Sequence, residues 1–245
     1  MCDSAQPLSR TVIRRFLDAW TNHAETPELD GIAVSPTATS EDGREIPQRW
    51  QLNVRYAHFL YQLVKVLQPA RVLEIGMAHG ISSAYIAAAR RLYAGESPQQ
   101  AHVIVDPFQT SDWQGAGRAL LKRLGLDAGV EIIEDLSVHA VPALEKRGDR
   151  FDFVFIDGNH CLDYTLADVL VCDRVLRTGG FLAMDDSRGF GVKFAVPYLD
   201  KYRLNLSRIR FDNPAGHRIR EWFNRRRRIT VYQKNSEDDR GAEGT

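Results

Sequence analysis

The stretch Arg71–Leu92, RVLEIGMAHGISSAYIAAARRL, constrains the fold more than any other part of this chain. A short apolar run ends at Gly76, a second glycine follows at Gly80, and the residues after it are alanine-rich with helical spacing. A strand, a glycine turn and a helix in that order are typical of the nucleotide-binding start of an open α/β sheet. Glycine lets the backbone approach a ligand closely, and the helix offers unpaired N–H groups to that ligand.

The spacing of the two glycines, G-x-x-x-G, differs from the common nucleotide-binding motifs. It is not the G-x-G-x-x-G of dinucleotide-binding proteins, and no Gly-Lys-Ser/Thr of a phosphate-binding loop follows. Glu74 places a carboxylate in an otherwise apolar strand, and a buried charge needs a partner. A cationic ligand such as S-adenosylmethionine, which carries a sulfonium and an ammonium group, would supply one. A local arginine, with ordinary turn glycines, is the alternative.

Composition and charge narrow the class of protein. The chain has 245 residues, equal numbers of acidic and basic side chains, and an ordinary apolar fraction, which favours one α/β domain with an additional segment. Zero net charge gives no global attraction to nucleic acid. The first residues lack an apolar signal core, and no run is long enough to span a bilayer. Three cysteines without metal-ligand spacing fit a reducing compartment, so we expect a cytoplasmic protein without membrane contacts.

The pattern before residue 70 predicts helices and no strand. Leu8–Trp20 and Gln48–Leu67 have helical apolar spacing, whereas Thr21–Pro47 is polar and aperiodic and predicts a long loop. We interpret residues 1–67 as a helical cap with a lid loop, residues 68–234 as the core, and residues 235–245 as a disordered tail.

From residue 70 onward, strand-like and helix-like segments alternate. The predicted strands are Arg71–Ile75, His102–Asp106, Val130–Ile133, Phe151–Asp157, Gly180–Met184, and an antiparallel final pair, Leu204–Phe211 and Arg228–Gln233. The predicted helices are Ser82–Leu92, Gly115–Leu124, Val138–Lys146, Tyr164–Leu176 and Gly191–Lys201. Apolar strands separated by helices predict a Rossmann-like, doubly wound, mostly parallel sheet of seven strands with an antiparallel edge strand.

Ligands of open α/β sheets bind beyond the carboxyl ends of the strands, and acidic residues cluster there in this sequence. Asp106 ends the second strand, where a carboxylate can accept hydrogen bonds from both hydroxyls of a ribose, and Phe108 could stack on an adenine. A turn residue before proline and ordinary packing are the alternatives for these two side chains. The candidate cofactor contacts are Glu74, Gly76, Met77, Gly80, Ser82, Ser83, Asp106, Phe108, Asp135, Leu136, Ser137 and Asp157.

Three carboxylates, Asp157, Asp185 and Asp186, follow the fourth and fifth strands. If those strands are neighbours, their ends lie about 5 Å apart, and the carboxylates repel one another. Raised pKa values or a divalent cation would resolve the repulsion, and hard oxygen ligands select Mg²⁺, Mn²⁺ or Ca²⁺. A helix cap at Asp157 and a solvated turn are the alternative. His160 could act as a general base beside such a site, or be a loop histidine at the start of a helix.

The basic run Arg225–Arg228 could bind phosphate or nucleic acid. Because the chain has no net charge, a solvated sheet edge that is protected by these charges explains the run better. We therefore expect no nucleic-acid partner.

Residues 48–233 resemble the class I S-adenosylmethionine-dependent methyltransferases, through V-L-E-I-G-x-x-x-G, the acid that ends the second strand and the antiparallel final pair. Within that class, FDFVFIDGNHCLDYTLADVLVCDRVLRTGGFLAMDDS is similar to metal-dependent O-methyltransferases of the catechol and caffeoyl-coenzyme A type. It is more similar to the macrolide-sugar type with its D-G-x-H motif. Position 186 is Asp where the catechol type has Asn, and position 160 is not the lysine of the caffeoyl-coenzyme A type.

This resemblance implies specific roles for the strand-end residues. Asp157, Asp185 and Asp186 would hold Mg²⁺ or Mn²⁺, and Asp157 and His160 would be the catalytic residues, with His160 as the base. The reaction would be an in-line transfer of the S-adenosylmethionine methyl group to a hydroxyl of a small molecule, such as a sugar or phenol of a natural product.

Several alternatives stay open at the level of the sequence. They are an NAD-dependent oxidoreductase of the same fold class, a metal-independent or RNA-directed methyltransferase, and a methyltransferase-like domain without activity. The expected partner is a small-molecule hydroxyl acceptor, and a homo-oligomer is compatible with the sequence.

Overall fold

The computed structural model describes residues 15–16, 26–49, 53–94, 101–189, 191–209 and 229–237. Arg15 and Phe16, the only described part of the predicted helix Leu8–Trp20, are helical. In chain order, the further elements are α1 (Pro27–Ala33), β1 (Thr37–Thr39), β2 (Glu45–Pro47), α2 (Val54–Leu67), β3 (Val72–Ile75), α3 (Ile81–Ala94), β4 (His102–Val105), α4 (Ala116–Arg123), β5 (Val130–Ile133), α5 (Ser137–Arg147), β6 (Phe151–Ile156), α6 (Leu162–Val175), β7 (Leu176–Met184), α7 (Val192–Tyr202), β8 (Leu206–Arg208) and β9 (Thr230–Lys234).

The main sheet has seven strands in the order β5-β4-β3-β6-β7-β9-β8, which confirms the predicted doubly wound architecture. The five strands from β5 to β7 run parallel, and β9 is antiparallel to both of its neighbours. The final pair therefore lies at one edge of the sheet: β8 is the edge strand, and the antiparallel strand β9 lies between β8 and β7. The chain proceeds outward from β3 to β5 and then returns to β6 on the other side of β3. Ligands of open sheets bind at such a switch point, beyond the carboxyl ends of β3 and β6.

Both faces of the sheet are covered by helices because its central strands are apolar on both sides. Successive side chains of a strand point to opposite faces. Accordingly, Val72 packs with side chains of α2, α3 and α4, whereas Leu73 and Ile75 pack with side chains of α5, α6 and α7. Burial of one such aliphatic side chain contributes about 1.5–3 kcal/mol. These two apolar layers hold the strand ends, and with them the candidate site, in fixed positions.

The prediction of a long loop over Thr21–Pro47 is wrong, because the described part contains the helix α1 and the antiparallel pair β1-β2. Pro27 suits the first turn of a helix, since proline needs no hydrogen-bond acceptor there. The turn between the two strands is closed by Ser40 N, which donates to Arg44 O at 2.8 Å, and Gly43 adopts a φ of 85° in it. Strands of three residues are too short to show an alternating pattern in the sequence.

The C-terminal elements close the described structure. Lys234 ends β9, and residues 235–237 stay in contact with the core, since Asn235 N donates to Asn205 O at 2.8 Å. The described residues do not include the basic run Arg225–Arg228, Trp50 or residues 238–245. The division of the chain into cap, core and tail stays a prediction. Among the described helices, none is long and apolar enough to cross a membrane.

Candidate active site

The glycine turn that follows β3 is packed tightly against two other parts of the protein. Gly76 and Gly80 have φ values of 90° and 83°, in the left-handed region that favours glycine. A Cβ on Gly76 would lie 2.2 Å from the carbonyl oxygen of Asp157, and one on Gly80 would lie 2.9 Å from the Cα of Gly117. The glycines thus let the turn contact the end of β6 and the start of α4 directly.

Asp106, which follows β4, holds the backbone of this turn. Its Oδ2 accepts hydrogen bonds from the N–H groups of Met77 and Ala78, both at 2.8 Å, and its Oδ1 accepts one from Phe108 N at 2.9 Å. The side chain is 3% exposed. The structure therefore gives Asp106 a role that was not predicted, the organisation of the glycine turn, and its contact with a ribose stays a prediction.

Glu74 already has protein partners for its carboxylate, and its contact with a cofactor stays a prediction. Its carboxylate is fully buried: Oε1 accepts from Ser82 Oγ at 2.5 Å, and Oε2 lies 2.9 Å from His102 Nε2. The Ser83 side chain is also fully buried. These side chains lie between β3, β4 and α3, where protein donors satisfy the carboxylate. The backbone N–H groups at the start of α3 can still serve a ligand there.

The ends of β4 and β5 present apolar side chains on the surface. Phe108 is 48% exposed, Leu136 39% and Val138 40%. Exposed apolar groups at neighbouring strand ends suit a flat aromatic ring such as adenine, and Val138 was missed in the sequence because it looked like an ordinary helix residue. Asp135 Oδ1 accepts from Leu136 N at 2.7 Å, which shapes this loop.

His160 lies between two of the three strand-end carboxylates. Its Nε2 is 3.3 Å from Asp157 Oδ1, and its Nδ1 is 3.1 Å from Asp186 Oδ2. The pairing of β6 with β7 places Asp157 and Asp185 next to each other in the sheet, as the sequence predicts for neighbouring strands. Both contacts can be hydrogen bonds at once only when the imidazole carries two protons. A neutral His160 would therefore leave one nitrogen able to accept a proton from a substrate.

The carboxylates also differ in their own surroundings. Asp185 is 1% exposed, whereas Asp186 is partly exposed and adopts a φ of 48°, which is uncommon for a residue other than glycine. Strained backbone of this kind concentrates at functional sites. The oxygen donors suit a hard divalent ion in their chemistry. However, within the described ranges no group of three or more His, Cys, Asp or Glu side chains is placed to hold a metal ion.

Asp168 of α6 connects two of the loops at the strand ends and was missed in the sequence. Its Oδ1 accepts a short hydrogen bond from Ser137 Oγ, and a Cβ on Gly158 would lie 3.3 Å from its Oδ2. Burial raises the pKa of the Asp168 carboxyl to about 6, against the opposing effect of the Ser137 hydrogen bond. The signal in the sequence that could have indicated Asp168 was an acidic residue on the otherwise apolar face of this helix. The Ser137 hydroxyl, a predicted cofactor contact, is thus directed at Asp168.

A cavity of about 750 Å³ lies between the β1-β2 hairpin and α4. It reaches the glycine turn only at His79, whose ring packs against Trp113 and whose Nδ1 lies 3.1 Å from Arg49 O. Burial lowers the pKa of His79. The strand-end carboxylates are not part of its lining. The cavity therefore lies behind the glycine turn and away from His160.

Comparisons with known proteins indicate the family and the fold of this chain. A family model described as "Methyltransferase domain" matches residues 73–187. Catechol O-methyltransferase of Mycobacterium tuberculosis is 30% identical over 167 residues, which cover 64% of this chain and 71% of that protein. Two solved structures share the fold. Cofactor-bound Rv0187 from MTB has a TM-score of 0.60 at 19% identity and covers 92% of this chain and 90% of its own. The O-methyltransferase from Bacillus cereus in complex with SAH has a TM-score of 0.54 at 19% identity, with 91% of each chain covered.

Proposed function

Because this chain belongs to the S-adenosylmethionine-dependent O-methyltransferases of class I, we propose that it methylates a hydroxyl group of a small molecule with the help of a divalent cation. The observation that carries this proposal is the contact between Gly76 and Asp157. It places the glycine turn, where the cofactor would bind, directly beside the polar group of Asp157, His160 and Asp186. A methyl donor and a hydroxyl acceptor would meet at this contact.

The cofactor would extend along the carboxyl ends of β3, β4 and β5. Its adenine would pack on Phe108 and Leu136, its ribose would lie near Asp106, and its methionine part would lie along the backbone of the glycine turn. Asp157 would contact the methionine end from the neighbouring strand. These placements are supported by the exposed apolar side chains at the ends of β4 and β5 and by the close approach of backbone at the end of β3.

His160 would remove the proton of the acceptor hydroxyl. It has the required neighbours, because Asp157 and Asp186 fix the plane of the imidazole from its two nitrogens. General-base assistance of this kind contributes typically 10²–10⁴-fold in rate. Holding the acceptor in line with the methyl group contributes more, up to about 7–11 kcal/mol in well-oriented cases.

The divalent cation would be held by Asp157, Asp185 and Asp186. When bound, such an ion would lower the pKa of a coordinated acceptor hydroxyl. This proposal is supported by the oxygen donors at adjacent strand ends and by the name of the relative, a catechol O-methyltransferase. The acceptor would be a sugar or phenolic hydroxyl of a natural product.

A metal-independent O-methyltransferase is the second candidate. The geometry of His160 favours it, because the imidazole already occupies the space between Asp157 and Asp186 and can serve as their counter-charge when protonated. In that case His160 alone would activate the acceptor.

The experiment that tests the proposal is a methyl-transfer screen of phenolic and glycosylated acceptors with S-adenosylmethionine. Each acceptor is assayed after dialysis against EDTA, and again after addition of Mg²⁺ or Mn²⁺. Methylation that requires the added ion supports the first candidate, and equal methylation in both arms supports the second. Absence of O-methylation with every acceptor, from protein that binds no S-adenosylhomocysteine, would contradict both.

A further inference from the structure

We propose that Gln109 is a positioning residue for the cofactor: it holds the carbonyl oxygen of Ala78, together with Asp106, which holds the N–H, and so fixes the shape of the glycine turn. This inference rests on the proposed cofactor site at the strand ends. Gln109 lies three residues after Asp106, in the loop between β4 and α4, and its side chain is 0% exposed. Because it is fully buried, it can act on the cofactor only through the turn.

The contacts of Gln109 converge on one residue of the turn. Its Nε2 donates to the carbonyl oxygen of Ala78 at 2.8 Å and to Asp106 Oδ2 at 3.2 Å. The same Oδ2 accepts from the N–H of Ala78 at 2.8 Å. Both polar backbone groups of Ala78 are therefore held by one pair of side chains, which are themselves hydrogen-bonded to each other.

Ala78 needs such support because of its conformation. It has a φ of 48°, in the left-handed region, where a residue with a Cβ is disfavoured by roughly 1–2 kcal/mol. Gly76 and Gly80 adopt this region without that cost. The centre of the turn is thus its strained part, and the hydrogen bonds to Asp106 and Gln109 offset the strain.

The oxygen of the Gln109 amide indicates that packing alone does not explain why glutamine occupies this position. Its Oε1 is buried and has no hydrogen-bond partner within the described ranges. An unsatisfied buried acceptor costs about 1–3 kcal/mol. A Cβ on Gly117 would lie 2.9 Å from this oxygen, so α4 packs directly against it. An apolar side chain of the same length would fill this space without that cost. What glutamine adds is the donor that it directs at Ala78.

The test compares two substitutions of Gln109 with a control in the same loop. Gln109→Met keeps the length and removes the donor, and Gln109→Asn keeps the amide but shortens it, so that a folded variant is available if one of them fails to fold. Gln114→Met is the control, because Gln114 is exposed and its side chain only reaches Arg44 Nη2 at 3.5 Å. Binding of S-adenosylhomocysteine is measured by calorimetry, and KM for S-adenosylmethionine and kcat are measured with one acceptor.

We expect Gln109→Met to raise the Kd of S-adenosylhomocysteine and the KM of S-adenosylmethionine about tenfold, which corresponds to about 1.4 kcal/mol. The kcat at saturating S-adenosylmethionine should stay within about twofold of the wild type, because His160 is not affected. Gln109→Asn should act in the same direction, and Gln114→Met should leave both constants unchanged. A merely structural residue would lower the melting temperature without this separation of KM from kcat.

Two outcomes would overturn the inference. If the wild-type protein binds S-adenosylhomocysteine and a folded Gln109 variant binds it equally well, the inference fails and the proposed function stands. If the wild-type protein binds no S-adenosylhomocysteine, the proposed cofactor site fails and the inference fails with it.

Discussion

Gly76 touches Asp157 so closely that a Cβ on the glycine would lie 2.2 Å from the aspartate carbonyl oxygen. Gly76, which begins the glycine turn after β3, and Asp157, which begins the loop after β6, are therefore in direct backbone contact. A side chain added at Gly76 would have to displace the backbone of Asp157. This relationship leads to the first of five predictions.

Gly76→Ala should destabilise the protein and abolish binding of S-adenosylhomocysteine. The new Cβ would strain the left-handed backbone and also collide with the backbone of Asp157. Gly148→Ala is the matched control, since Gly148 has a φ of 86° and no atom within 4 Å of an added Cβ. The control should lose about 1–2 kcal/mol and bind normally. Denaturant unfolding and calorimetry check this, and normal binding by Gly76→Ala would contradict the argument.

Removal of divalent ions should abolish turnover, and Mg²⁺ or Mn²⁺ should restore it. Two like charges 4 Å apart cost about 4 kcal/mol even at an effective dielectric near 20. Asp185→Ala should remove the ion-dependent turnover and leave S-adenosylhomocysteine binding largely intact, whereas Asp157→Ala should remove turnover and also weaken S-adenosylhomocysteine binding. Calorimetry, elemental analysis and activity after chelation check this. Full activity of metal-free protein would leave the metal-independent candidate.

Substitutions at Asp186 should separate its backbone from its carboxylate. Asn tolerates the left-handed φ of 48° and keeps one oxygen, so Asp186→Asn should lower kcat less than tenfold. Asp186→Gly keeps the backbone but loses the contact with His160, so its kcat should fall further, towards that of His160→Ala. For His160→Ala we expect a loss of about 10²–10⁴-fold. Activity of the Asp186→Gly variant equal to that of the wild type would show that the carboxylate is dispensable.

Asp168→Asn should stabilise the protein at neutral pH. Burial raises the folded-state pKa of Asp168 to about 6, above its ordinary value of 3.8, so the folded state binds the proton more tightly than the unfolded state does. The wild type should therefore lose stability as the pH rises from about 4 to 6, and should lose no more above that. The Asn variant still accepts from Ser137 and has no charge to bury. Its advantage should reach about 3 kcal/mol at pH 7 and vanish near pH 4. Urea unfolding at several pH values checks this, and a constant difference across the range would contradict it.

Asp173→Ala should cost about 3–5 kcal/mol of unfolding free energy, because it would remove the carboxylate that pairs with the buried guanidinium of Arg203 and one of the two carboxylates beside Lys234 Nζ. Asp173 is fully buried, forms an ion pair with Arg203, and lies 3.6 Å from Lys234 Nζ. Glu145→Ala is the control, since it removes an ion pair with Arg174 that is largely exposed. The control should change stability by about 0–1 kcal/mol. Equal effects in chemical denaturation would show that the Asp173 carboxylate is not needed to hold Arg203 in the core.

The parallel part of the sheet was predictable because strands that are buried on both faces read as continuous apolar runs. Each predicted strand from Arg71–Ile75 to Phe151–Asp157 agrees with the structure to within one residue at either end. The β1-β2 hairpin was not predictable, since three-residue strands have no period to detect.

The partner of Glu74 was also beyond the sequence. In the register of the sheet, His102 of β4 lies beside Val72 of β3. Val72 comes two residues before Glu74, so the side chains of Glu74 and His102 point to the same face of the sheet. Only the register of β3 against β4 brings the two side chains together, and a single sequence does not specify register. His160 and Asp157 lie in one motif and were found together. Gln109 was missed because its role depends on where the glycine turn folds back.

The position of β9 has a consequence for synthesis of the chain. Among the described strands, β8 follows β7 in the chain, but the two are joined in the sheet through β9, which is the last of the described strands. Until residues 230–234 have been made and have paired, the edge of β7 that β9 covers stays unpaired. Unpaired edges of this kind invite pairing with other chains. Domain-swapped dimers or chaperone capture during translation would therefore involve this edge. A stalling sequence placed before β9 would delay the pairing of β9 with β7 and should increase both.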